Sequence, residues 1–213
     1  MPYSSSCSFC GSILRSVLDL GLHPHSDLFP KDIKSTLEVY PLTLSRCTNC
    51  GLYQNDFHLP TSKMFNDEYL YDNSVNISAK PHWLELASEL GSHIKSIKEL
   101  EDNIHALDVG SNSGELLHSY EICGYTAEGI EPTMMPHSIA VARGLTSHNT
   151  IFSPSCLDYL KYKEYQIISF TNSFPHIPDP INTLELAAQI IDKRAGIICI
   201  ESPVASKMIN EFQ

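Results

Sequence analysis

The sequence predicts an α/β chain in two parts: a small N-terminal domain organised by paired cysteines, then a parallel sheet covered by helices. Three observations carry this. The first fifty residues hold two matched C-x-x-C pairs, Cys7-Ser-Phe-Cys10 and Cys47-Thr-Asn-Cys50, each followed directly by a glycine, Gly11 and Gly51. From about residue 104 onward, short apolar runs alternate with helical patterns, the βαβα rhythm of a sheet buried on both faces. The first of those runs ends in a glycine-rich turn, Asp108-Val-Gly-Ser-Asn-Ser-Gly114.

Two cysteines separated by two residues can wrap one side of a tetrahedral metal, and a trailing glycine lets backbone N–H groups turn toward the sulfurs. Two such pairs make Cys7, Cys10, Cys47 and Cys50 the ligands of a four-cysteine zinc site. Residues 11–46 lie between the pairs, so this segment must fold back on itself. A four-thiolate zinc has no open position for water, so its job is structural. His23 and His25 lie close by in the sequence but are not needed as ligands.

Composition sets further bounds. At 213 residues and 42% apolar content the chain has room for one large or two small domains. It contains no run of 18 apolar residues, so no membrane span is expected. Its first residues, MPYSSSCSFC, lack the basic and apolar regions of a secretory signal. Seven cysteines in such a chain point to a reducing, cytoplasmic setting, with Cys123, Cys156 and Cys199 as small buried hydrophobes. The net charge of −11, without a basic stripe, argues against nucleic acid as a partner.

Along the chain, residues 1–62 read as the zinc-binding domain, with extended pieces at 18–22 and 40–44 punctuated by Pro24, Pro30, Pro41 and Pro60. Residues 63–80 are polar and aromatic without a clear period and read as a linker or a loop leaning on a site. Over 81–100, Trp83, Leu84, Leu86, Ala87, Leu90, Ile94 and Ile97 recur at three- and four-residue steps, which predicts an amphipathic helix. Strands follow at 104–109, 125–130, 165–170 and 196–201, with helices at 115–123, 134–143 and 181–192. Residues 81–213 thus form a Rossmann-like domain, whose ligand belongs beyond the carboxyl ends of the strands.

The turn after the first of these strands lets the backbone approach a ligand closely, and Gly114 opens the next helix. The second strand ends in Glu128-Gly-Ile-Glu131-Pro132. Glu131, 17 residues after Gly114, stands where a carboxylate can accept hydrogen bonds from both hydroxyls of a ribose. Together the motifs indicate an adenosine-type nucleoside. Dinucleotide sites use G-x-G-x-x-G, whereas here Gly110, Asn112 and Gly114 form G-x-N-x-G with Asp108 two residues ahead. That spacing favours S-adenosylmethionine (SAM), which has no phosphate to cradle. A turn that only joins strand to helix is the alternative.

These residues together resemble the SAM-dependent C-methyltransferases that act on nucleotide-linked deoxysugars, over nearly the whole chain. The two C-x-x-C pairs, Leu18-Asp-Leu-Gly-Leu-His-Pro24 with Asp27, and Tyr40-Pro-Leu resemble the family's zinc domain. Tyr69-Leu-Tyr71 resembles its tyrosine motif. The 108–114 turn and Gly129-Ile-Glu-Pro132 resemble its SAM site, Thr171-Asn-Ser-Phe-Pro-His-Ile177 the stretch after its fourth strand, and Ile200-Glu-Ser-Pro203 the end of its fifth. The resemblance implies a class I methyltransferase sheet of about five strands. It also implies a cofactor site of Asp108, Gly110, Asn112, Gly114, Glu131, Pro132 and Asn172. Its substrate would be a small nucleotide-linked keto-deoxysugar, methylated at the carbon next to the ketone.

Such a reaction needs a base for the α-proton, a donor for the enolate oxygen and a carbanion in line with the methyl group. His176 can donate to the enolate oxygen or relay a proton, unless it only packs in its loop. Tyr71 can donate a phenolic hydrogen bond, unless it is an aromatic plug; Tyr69 reads as packing. Two departures stand out. Ser113 replaces the aspartate of the family's usual G-x-N-D-G, and the chain ends before the family's C-terminal tyrosine-glutamate-histidine cluster. The chain is therefore expected to be a fragment with an exposed apolar edge strand at 196–201 and a tendency to self-associate. Two other readings stay open: a SAM-binding fragment without turnover, and a zinc-dependent interaction module.

Overall fold

A computed structural model describes residues 4–26, 30, 32, 34–66, 69–97, 104–160 and 164–211. Asp27 and the expected end of the first long helix at residue 100 lie outside the described residues. The chain divides into two compact units, one of Met1–Tyr69 with Pro178–Ile181 and Val204–Gln213, the other of Leu70–Ile177 with Asn182–Pro203.

In the first unit, β1 (Leu14–His23) pairs antiparallel with β2 (Tyr40–Cys47), and β2 with β3 (Tyr53–Asn55), in the order β1-β2-β3. The segment between the cysteine pairs folds back as the sequence requires, but β1 runs for ten residues rather than the short piece expected around 18–22. Its ladder to β2 is interrupted between Ser16 and Leu18 and between Asp19 and Leu22. Such irregularities bend a strand and blunt its edge. A short helix α1 (Thr61–Met64) follows.

In the second unit, residues 73–75 and 77–79 form two turns of 3-10 helix where the sequence showed no period. They lead into α2 (Lys80–Ile97), which buries Ala87, Gly91 and Ile94. The chain then runs β4 (His105–Val109), α3 (Glu115–Ile122), β5 (Thr126–Ile130), α4 (Met134–Ala142), β6 (Ser147–His148), α5 (Leu157–Leu160), β7 (Ile167–Thr171), α6 (Pro180–Ile190) and β8 (Ile197–Glu201), while the last helix, α7 (Ala205–Glu211), belongs to the first unit. The five-stranded sheet is parallel throughout, in the order β6-β5-β4-β7-β8. The expected strands and helices are all present, with ends displaced by one or two residues. The two-residue β6 gave no sequence signal because it is too short to show a period.

Alternation along the strands sorts the apolar side chains into two cores. Ala106, Ala127 and Ile167 pack with Ile94 of α2 and with Leu116, Leu117 and Tyr120 of α3. Leu107, Val109, Ile130, Ile168 and Phe170 pack on the other face with Leu160 of α5 and with Leu186 and Ile190 of α6. Each fully buried Leu or Ile contributes on the order of 1.5–3 kcal/mol. The strand order reverses between β4 and β7, which makes the carboxyl ends of these two strands the switch point of the sheet, where ligands bind in folds of this kind. β8 is the last strand in the order, and Ile200 on it is exposed.

Candidate functional site

The four knuckle cysteines come together as expected. Their sulfurs all lie within 4.8 Å of one another. Across the two knuckles, Cys7 Sγ stands 3.6 Å from Cys50 Sγ and Cys10 Sγ 3.5 Å from Cys47 Sγ. Ligands about 2.3 Å from a tetrahedral zinc would be roughly 3.8 Å apart, so the donor set and its spacing fit that ion. The knuckles are built alike: the N–H of Cys7 donates to the carbonyl of Ser12, and that of Cys47 to Leu52, both at 2.8 Å. Gly11 and Gly51 turn the chain with φ of 70° and 79°. Backbone N–H groups of Asn49 and Cys50 point at Cys47 Sγ, at 3.4 and 3.5 Å. His23 and His25 instead contact backbone oxygens, of Leu20 and Ser26. In the same unit the Tyr69 ring meets Phe65 edge-on.

The second site lies at the carboxyl ends of β4, β5 and β7. The glycine loop leaves β4 with Gly110 at φ 80°, where a Cβ would stand 2.4 Å from Cβ of Ser173 in the loop after β7. Ser173 in turn donates its hydroxyl to the carbonyl of Val109. Gly110 is thus what lets the two loops of the switch point touch. Gly114, at φ 82°, opens α3 as expected, and a Cβ there would strike Leu145 and approach Ala140, so it also seats the start of that helix against its neighbours.

Glu131 closes the loop from β5. Its Oε2 accepts the Asn112 N–H at 2.9 Å, and its Oε1 the Thr133 N–H at 2.8 Å together with the Thr133 hydroxyl. The carboxylate expected to meet ribose hydroxyls is therefore already oriented by three donors, with its remaining lone pairs beside the loop. Pro132 follows, its carbonyl accepting from Asn149. Asp108 does not face the loop. It is fully buried among the α3-side residues, accepts the Ser169 hydroxyl at 2.7 Å, and desolvation pushes its pKa up to about 7, Ser169 opposing and the Glu131 charge adding to the rise.

Asn112 is the hub, with the left-handed φ of 50° that asparagine tolerates. Its Oδ1 accepts the N–H of Asn73 and its Nδ2 donates to the carbonyl of Tyr71. The side chain assigned to the cofactor is thus engaged by residues 71–73, drawing them onto the loop. Ser113 adds a bond from its hydroxyl to Asp72. Arg143 donates to the Ser113 carbonyl at 2.6 Å and pairs with the buried Glu115 at 2.8 Å. Asp72, Asn73, Arg143 and Ser173 were missed from sequence, since none falls in a spacing that singles it out.

Tyr71 exposes about half its surface (48%) while its backbone carbonyl is tied to the loop. His176 ends the 3-10 turn Phe174–His176 after β7. Part of the residue is exposed, yet the protein around its ring desolvates the charged form and lowers its pKa, which favours a neutral imidazole. Asn172, at φ 56°, donates its N–H to the Glu201 carbonyl at 2.8 Å and so joins β7 to β8. Glu201 also holds His82 of α2, with 2.7 Å between Oε2 and Nε2.

A five-stranded parallel sheet of this order, with a glycine loop clasped by a glutamate one strand away, defines the class I methyltransferase fold. The chain belongs to the family described as "Methyltransferase domain", whose model matches residues 82–213, and residues 7–65 match the family described as "Putative zinc binding domain". Similar solved structures include the plantazolicin methyltransferase BpumL in complex with a monoazolic desmethylPZN analog and SAH (18% identity, TM-score 0.50, covering 60% of this chain and 49% of that one). A SAM-dependent methyltransferase from Geobacter sulfurreducens in complex with S-adenosyl-L-homocysteine is 23% identical with a TM-score of 0.39, covering 55% of this chain and 47% of that one. WbdD, in a co-crystal structure with a kinase inhibitor, is 18% identical with a TM-score of 0.45, covering 52% and 28%. The chain spans about half the length of the first of these. No curated protein matches it.

Proposed function

We propose that this chain binds SAM on the 110–114 loop and transfers its methyl group to a carbon next to a ketone, in a nucleotide-linked keto-deoxysugar. One observation carries the reading: in a chain of the methyltransferase family, Glu131 reaches from β5 to fix the loop through the Asn112 N–H. The loop offers backbone, and Glu131 a pre-oriented carboxylate, to a nucleoside with free ribose hydroxyls. When bound, SAM supplies an electrophilic methyl on a positively charged sulfur. The chain's residues have the remaining work. His176, kept neutral by desolvation, would donate to the developing enolate oxygen, and Tyr71 would orient the substrate from the segment clasped by Asn112.

Residues 1–62 serve as a structural zinc domain, 63–80 as the connection carrying Tyr71, and 81–213 as the cofactor domain. The free thiols of Cys123, Cys156 and Cys199 suit a reducing, cytoplasmic setting. No described helix is long and apolar enough to cross a membrane. The exposed Ile200 on the last strand favours self-association, which sedimentation would show as a mass rising with concentration.

Calorimetric titration with S-adenosylhomocysteine tests the cofactor reading. Saturable binding that Glu131→Ala weakens at least tenfold supports it. No binding by folded, zinc-loaded protein overturns it and favours the interaction module. Binding without methyl transfer to keto-deoxysugars favours the fragment that binds SAM without turnover.

A further inference from the structure

The reaction proposed above needs a base, and neither His176 nor Tyr71 is placed as one. The carboxyl rim of the sheet holds a second group of polar side chains, on β8, on the loop after β7 and on the first turn of α2. Glu201 is the last residue of β8, in register with Thr171 of β7. Its Oε2 lies 2.7 Å from Nε2 of His82, and its Oε1 3.4 Å from Nδ2 of Asn172. Asn172 reaches it from a left-handed backbone conformation, uncommon outside glycine, which places the amide beside the strand end.

A carboxylate cannot donate, so Nε2 of His82 carries the proton shared with Glu201, and in the neutral ring Nδ1 is the nitrogen with a lone pair. The side chain of His82 is 51% exposed and that of Glu201 30%, so the imidazole stands at the surface with its carboxylate behind it. The pair also has a defined relation to the glycine loop. Residues 71–73 are bound to Asn112 and Ser113 beyond β4, and His82 is bound beyond β8. The segment 71–82 therefore runs along the carboxyl ends from the loop to the sheet edge. It carries Tyr71 near one end and His82 at the other.

We propose that His82, oriented by Glu201, is the base that takes the proton α to the substrate's ketone. The proposal rests on the methyl-transfer reading above. In the step, the α C–H bond breaks, its proton goes to Nδ1 of His82 and its electron pair forms the enolate. The carbon then bonds to the methyl group as the methyl–sulfur bond breaks, and the sulfur keeps that pair as a neutral thioether. The imidazolium formed on His82 faces Glu201, whose charge stabilises it, as a carboxylate does behind a histidine base in hydrolases. Glu201 is a positioning residue in this scheme.

Base function has a signature that a purely structural His82–Glu201 pin lacks: exchange of the α-proton with solvent, without methyl transfer. The experiment incubates zinc-loaded 213-residue chain, saturated with S-adenosylhomocysteine, with a nucleotide-linked keto-deoxysugar in D2O and follows the α-proton by NMR. Wild type should exchange it. His82→Gln should lower the rate about 10²–10⁴-fold with S-adenosylhomocysteine affinity unchanged. Glu201→Gln should lower it by a smaller factor, and added imidazole should restore exchange to His82→Ala. Exchange by His82→Gln at the wild-type rate, or failure of imidazole to restore it in folded His82→Ala, overturns the proposal. Wild type that binds S-adenosylhomocysteine but exchanges nothing overturns the base and leaves the cofactor reading standing. Wild type that does not bind it overturns the cofactor reading and the base with it.

Discussion

The Ser113 hydroxyl donates to Asp72 at 2.5 Å, so the glycine loop and the segment before α2 are joined by a bond in which the loop is the donor. Desolvation alone would raise the Asp72 pKa, but this bond and those from Ser74 outweigh it and hold the carboxyl low. The sugar C-methyltransferases that the sequence resembles usually carry aspartate at the position of Ser113. Here that residue would set two carboxylates against each other. Ser113→Asp should therefore destabilise the chain by about 1–3 kcal/mol through lost bonding and repulsion. Asp72→Ser should recover most of the loss, because it restores one donor and one acceptor. Urea denaturation of both single variants and the double variant measures this coupling; simple additivity would refute it.

Gly110 makes a second, independent prediction. An alanine there adds a Cβ 2.4 Å from that of Ser173 and must hold φ at 80°. Both effects oppose folding of the loop, by on the order of 1–3 kcal/mol together. Ser173→Gly removes the contact but not the dihedral cost, so Gly110→Ala with Ser173→Gly should recover only part of the stability. Full recovery in thermal unfolding would mean that the backbone dihedral costs nothing.

Much of this was legible in the sequence. The βαβα alternation marks the sheet because strands buried on both faces must be apolar, and the knuckles announce themselves because a metal fixes cysteine spacing. The order and bonding within the site were less legible. Asp108 sits beside the glycines in sequence, yet strand alternation turns its side chain into the core. Asn112 reads as a ligand contact, yet its amide binds residues 71–73, some forty positions earlier. Contacts at that separation depend on how the sheet brings loops together, and no local period encodes them. His82 is not among the apolar positions that mark the helix in the sequence, and only the fold sets Glu201 of β8 against it.

The zinc site predicts that the N-terminal unit depends on its metal. Cys47 is buried with its sulfur at the centre of three contacts, from Cys10 and from the backbones of Asn49 and Cys50. Four thiolates within 4.8 Å repel one another unless a cation sits among them. Structural zinc supplies on the order of 10 kcal/mol to folding in small domains. Cys47→Ser, or a strong chelator on wild type, should release one equivalent of zinc per chain and unfold β1–β3. Metal analysis with proteolysis between residues 11 and 60 follows it. Retention of zinc by Cys47→Ser, with that segment resistant to protease, would show that the cluster is not the metal centre.

Asp108 links stability to pH. Its pKa is pushed up to about 7 in the folded chain, chiefly by desolvation, against an ordinary value of 3.8. Between these values the folded state holds a proton that the unfolded state has released. The favourable contribution of the protonated group is therefore complete below about pH 4 and is lost as pH rises to about 7. At about 1.4 kcal/mol for each pH unit, the loss is on the order of 4 kcal/mol. Asp108→Asn keeps an acceptor for the Ser169 hydroxyl and has no charge to bury. The stability of the variant relative to wild type should thus grow steadily from pH 4 to pH 7 and then level off. Urea unfolding of both proteins at intervals across that range measures the difference, in which the titration of groups that do not interact with Asp108 cancels. A difference that stays constant with pH would mean that Asp108 ionises in the folded chain as readily as in the unfolded one.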